Sequence, residues 1–117
     1  MTTDTTETFG RLTVDVRLYW HRTALSVAEQ IISETSVAPT SFEVRVPDWS
    51  AGTTEISFYF HRDVVSLRQF RDEQMLTETR EDRESGVYIE AAADHHEGVR
   101  VVAWTLLDRS GNAAVSA

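Results

Sequence analysis

One eight-residue pattern, carried by four identical positions (Tyr, His, Arg and Ser), occurs twice in this chain and constrains its folding more than any other feature. Tyr19-Trp20-His21-Arg22-Thr23-Ala24-Leu25-Ser26 returns about 40 residues later as Tyr59-Phe60-His61-Arg62-Asp63-Val64-Val65-Ser66. Before and into the first copy, Leu12, Val14, Val16, Leu18 and Trp20 alternate with Thr13, Asp15, Arg17, Tyr19 and His21. A period of two predicts a strand at 11–21 with one buried face. Before the second copy Ile56, Phe58 and Phe60 alternate with Glu55, Ser57, Tyr59 and His61, which predicts another. Each copy ends on a serine that opens a capping-box pattern, Ser26 with Glu29 and Ser66 with Gln69. In that pattern the hydroxyl accepts from the N–H three residues on, and the longer side chain reaches back. The repeat therefore predicts one strand-to-helix junction used twice.

The remaining elements follow from spacing. Val27, Ala28, Ile31, Ile32 and Thr35 predict an amphipathic helix over about 24–36, stopped by Pro39. Phe42, Val44 and Val46 predict a short strand, antiparallel to the Ile56 strand through a loop at 48–53 that displays Trp49. Leu67, Phe70, Gln74 and Met75 mark the inner stripe of a second helix. Residues 77–85 are almost wholly polar and read either as a solvated helix end or as a loop. Val87, Ile89 and Ala91 predict a fourth strand and 99–107 a fifth, joined by a hairpin loop at 93–98 with Gly98 at positive φ. The order β-α-β-β-α-β-β resembles a ferredoxin-like split βαβ with a C-terminal fifth strand. That resemblance implies an α+β fold, an antiparallel sheet in the order 4-1-3-2, and two helices on one face. Residues 10–108 form the expected single domain, with flexible tails at 1–9 and 109–117.

Composition narrows the function. The 117 residues contain no cysteine, which removes disulfides, thiolate catalysis and cysteine-based zinc sites. A net charge of −8 disfavours nucleic acid and anionic membranes as partners. Every Lys or Arg position is Arg, which suggests a GC-rich bacterial or phage genome. The acidic, Thr-rich start lacks a secretory pattern and no apolar run is long enough to span a bilayer, so the expected compartment is the cytoplasm.

Chemistry is thinly marked. Asp94-His95-His96-Glu97 is the densest group of potential ligands and is read as a polar hairpin tip. No phosphate loop and no nucleophile–base grouping occurs, so no catalytic residue, cofactor or metal is expected. The sheet face away from the helices would carry Arg17, Tyr19, His21, Arg45, Tyr59, His61 and Tyr88, with Trp49 in a nearby loop. These eight residues are the candidate interaction site. An open aromatic sheet resembles the platform of RNA-recognition domains. The third strand, Glu55-Ile56-Ser57-Phe58-Tyr59-Phe60-His61, lacks that family's Gly/aromatic motif, and acids are interleaved on the same face. Element order and length also resemble dimeric α+β barrels, including the antibiotic-biosynthesis-monooxygenase type, and this resemblance implies a homodimer. The expected function is a non-enzymatic protein-binding module (a regulator, inhibitor or adaptor) acting through that mixed-charge face. The alternatives are a barrel-type small-molecule enzyme or ligand binder, with its pocket between helices and sheet, and an acidic mimic of nucleic acid.

Overall fold

The structure, a computed structural model, describes residues 12–50 and 53–108, without the side chains of His95 and His96. The expected tails at 1–9 and 109–117 lie outside the described residues.

The first predicted strand is a helix. Thr13 accepts a hydrogen bond from the Val16 N–H at 3.2 Å and caps α1 (Val14–Glu34), with Asp15 favourably placed in the first turn. Ser26 therefore lies mid-helix, and its capping pattern is not used. Ala24, Val27, Ala28 and Ile31 bury one face of α1. Thr35 leaves the helix in an extended conformation, and the chain continues into β1 (Ser41–Arg45).

β1 pairs antiparallel with β2 (Glu55–Tyr59), as the alternation predicts. After β2 the second copy of the repeat does form a strand-to-helix junction. Arg62 turns the chain at φ 51, and Asp63, rather than Ser66, caps α2 (Val64–Gln74), accepting from the Ser66 N–H at 2.9 Å. Segments that share four of eight residues thus lie mid-helix in one copy and across a turn in the other. Met75 ends α2 in the left-handed conformation while the Leu76 N–H reaches back to the Arg71 carbonyl, a Schellman closure.

Residues 77–85 are neither helix nor loop over most of their length. They form β3 (Thr77–Arg83), joined through Glu84-Ser85 to β4 (Gly86–His96). The expected loop at 93–98 shrinks to the turn Glu97-Gly98, with φ 56 and 83, leading into β5 (Val99–Leu107). Positive φ at both residues is the type I′ requirement. A Cβ at Gly98 would lie 3.1 Å from the Trp20 ring, so α1 rests closely on this hairpin.

The fold is α+β, with two helices and a five-stranded mixed sheet among the described residues. The strand order is β1-β2-β5-β4-β3, in which β2 and β5 are parallel and the other neighbours antiparallel. This is not the ferredoxin-like order 4-1-3-2. With residues 14–21 in a helix, the strand needed at that position does not exist, and β5 takes the place beside β2. The basis for the barrel resemblance is lost with it. Both helices cover one face of the sheet, where Phe58, Phe60 and Phe70 meet at ring separations of 5.0 and 5.4 Å. Phe58 and Phe60, 0 and 1% exposed, lie in the core between the helices and the sheet. No helix among the described residues is long and apolar enough to cross a membrane.

Candidate functional site

The strand register sets what faces away from the helices. Alternation places Glu55, Ser57 and Tyr59 of β2 beside Arg100, Val102 and Trp104 of β5, and Trp104 beside Glu90 of β4. Tyr88 is the diagonal neighbour of Trp104. The outcome is an aromatic row across three central strands. Tyr59 and Trp104 lie 4.4 Å apart between ring centroids at 36°, and Trp104 and Tyr88 lie 5.9 Å apart at 33°. All three are half-buried. The Trp104 Nε1–H donates to Ser57 Oγ at 3.0 Å, and the Arg83 guanidinium sits 4.1 Å above the Tyr88 ring as a cation–π contact. At the far end the Tyr59 hydroxyl and His61 Nδ1 are 2.6 Å apart, and the Thr40 hydroxyl accepts from the His61 backbone N–H.

Beside the row lies a charge cluster centred on Arg100. Its guanidinium meets Glu55 at 3.7 Å, Glu90 at 3.4 Å and Asp94 at 2.8 Å. The bond to Asp94 is the main reason its pKa is held above the ordinary arginine value. Glu90 also accepts the Tyr88 hydroxyl at 2.6 Å. Burial foremost, and then this bond, push the Tyr88 phenol well above its ordinary range, so it stays protonated and is a poor nucleophile. Tyr88, Trp104, Arg83, Arg100 and the carboxylates of Glu55 and Glu90 line a shallow basin of about 380 Å³ with Val102, flanked by Glu43 and Arg45. The interior charges offset one another, whereas Glu43 and Arg45, 4.0 Å apart at their closest, are 67 and 64% exposed.

The structure brings together only part of the expected site. Arg45, Tyr59 and Tyr88 lie on the open face, and His61 follows at the end of the Tyr59 strand. Arg17, Tyr19 and His21 do not. They belong to α1, where Tyr19 is exposed and stacks edge-on against Trp20. Their alternation had placed them on a strand that does not form. Trp49 is exposed in the segment after β1. Trp104 is the centre of the aromatic row, and it, Arg83 and Arg100 were not singled out with the site. The signal for Trp104 was its shared parity with Arg100, since a buried face does not carry that arginine. Among the described residues no group of three or more His, Cys, Asp or Glu side chains is placed to hold a metal ion. Comparison with protein-family models, with curated proteins and with solved structures finds no match.

Proposed function

We propose that the chain is a non-catalytic protein-binding module whose contact surface is the open sheet face. The observation that carries this reading is the row Tyr59–Trp104–Tyr88 running across β2, β5 and β4 beside charges of both signs. Half-buried tyrosine, tryptophan and arginine are the residue types that dominate binding energy at protein interfaces. Their rings are already fixed by stacking and by the Ser57 and Glu90 hydrogen bonds, so little side-chain entropy is lost on docking. The exposed Arg45 and Glu43 at the margin suit electrostatic selection of the partner. The partner is a protein surface with both charge signs. The net charge of −8 argues against nucleic acid or an anionic membrane in that role.

The test is affinity capture from lysate with the wild type, a Tyr59→Ala/Tyr88→Ala variant and a Met75→Glu control. Met75 is 76% exposed at the end of α2, away from the aromatic row. A partner retained by wild type and control but lost by the double variant supports the reading. Equal capture by all three overturns it, as does a basin that binds only a small molecule.

A further inference from the structure

α1 has a second apolar face. Val14, Leu18, Leu25 and Ile32 are 68, 42, 53 and 41% exposed, although the buried face of the same helix is already complete. With half-buried His21, and with Ala28 where this face borders the buried one, they occupy positions 14, 18, 21, 25, 28 and 32, a strict alternation of steps of four and three. That is the heptad seam of paired helices. At 100° per residue the seam lies about a quarter turn round from the sheet-facing side. It looks out over edge strand β1, where Phe42 is 46% exposed. Leu25, Ala28, Ile32 and Phe42 enclose an apolar groove of about 500 Å³ there.

We propose that this groove is filled by α1 of a second copy of the chain, running antiparallel about a two-fold axis. Charge selects both the occupant and the register. Asp15, Arg22 and Glu29 recur at seven-residue intervals along the outer border of the seam. On the inner border the equivalent positions are Arg17, Ala24 and Ile31, and Ala24 and Ile31 are buried against the sheet. A parallel helix would set outer border against inner and find almost no charge to pair with. An antiparallel copy sets outer border against outer border. When the axis passes near Ser26 and Val27, Arg22 faces the partner's Glu29 and Glu29 faces the partner's Arg22. Leu25 then enters the partner's groove above Ala28, itself only 1% exposed, Ile32 meets the partner's His21, and the groove by Phe42 is covered. Sliding the pair one heptad sets Asp15 against the partner's Glu29 and Arg22 against the partner's Arg22, and both contacts repel. Sliding it a second heptad restores an Asp15–Arg22 contact but leaves Ile32 and Phe42 in water. The one register that covers the groove without repulsion is thus self-complementary, as an isologous interface requires. The opposite sheet edge, β3, is lined by charged residues and resists such pairing. The dimer leaves the aromatic basin uncovered, so it stands or falls independently of the proposed function.

Sedimentation equilibrium of the full chain tests this at tens of micromolar. The expected result is a dimer mass for wild type and a folded monomer for Leu25→Asp and for Ile32→Asp, with unchanged circular dichroism. Arg22→Glu and Glu29→Arg alter exposed side chains and leave the fold intact even if the apolar variants do not fold. Each is expected to weaken the dimer about tenfold, because every swap spoils two symmetric contacts, and the double swap is expected to restore it. A monomeric wild type overturns the proposal. So does a dimer indifferent to the single swaps, or one that the double swap fails to restore.

Discussion

The Thr35 hydroxyl donates to the Glu73 carboxylate at 2.7 Å, tying the end of α1 to the last turn of α2. The Ser36 hydroxyl and backbone N–H donate to the same carboxylate, and Gln69 supports it. These bonds, Ser36 first and Thr35 next, lower the Glu73 pKa from its ordinary 4.5 to about 2. A depressed carboxylate stabilises the fold above its unfolded pKa and loses that contribution as pH falls through the folded one. Glu73→Gln is therefore expected to melt below wild type at neutral pH. The gap between the two should narrow from about pH 4.5 downward and close near pH 2. Melting curves across that range check it, and a gap that does not change with pH would rule it out.

Asp63 is the cap on which the second copy of the repeat depends. Asp63→Ala removes the acceptor for the Ser66 N–H and is expected to cost about 1 kcal/mol, whereas Asp63→Asn should cost little. Urea denaturation of the three proteins gives the comparison.

Thr105 is fully buried in β5, and among the described residues its hydroxyl finds no hydrogen-bond partner. Thr105→Val keeps the shape and removes the unsatisfied group. It is expected to raise stability by up to about 1 kcal/mol. A lower denaturation midpoint would mean that the hydroxyl is satisfied in solution.

Gly86 opens β4 at φ 151, and a Cβ there would stand 2.0 Å from the Leu107 carbonyl oxygen. Gly86→Ala must push β4 away from β5 where the two strands pair. The expected loss is about 2–4 kcal/mol, readable in the same denaturation experiment. An alanine variant of wild-type stability would show that this strand end gives way freely.

Where one strand face is buried and the other wet, the pattern in the sequence was legible. β1, β2 and β5 fall within a residue or two of their alternating runs, and the β1–β2 pairing follows from their order. α1 was hidden in its first half because it is apolar on two sides. Val16 and Trp20 turn toward the body of the protein while Val14 and Leu18 turn away, and over nine residues that mixture imitates a period of two. β3 was hidden for the opposite reason. Six of its seven residues are exposed, so no apolar pattern marks it, and it is held by β4 and by the Arg68 and Arg71 contacts to Glu78. The bond from Arg68 is the main reason Glu78 is held below the usual carboxylate range. The site was legible to the extent that its strands were. Tyr59, Tyr88 and Arg45 followed from parity, whereas Trp104 was marked only by its parity with Arg100, in a strand largely apolar on both faces.

The parallel joint between β2 and β5 has a bearing on how the molecule comes together in time. The β1–β2 hairpin and the β3–β4–β5 meander are each built from neighbours in sequence, but Tyr59 meets Trp104 across about 45 intervening positions, a closure that is slow to search for. During synthesis the ribosome must release β5 before β2 gains its second neighbour. Until then Ile56 and Phe58 sit on an unpaired strand edge, the state in which nascent chains are most exposed to association. The centre of the sheet, rather than its rim, is therefore the seam of the fold at birth.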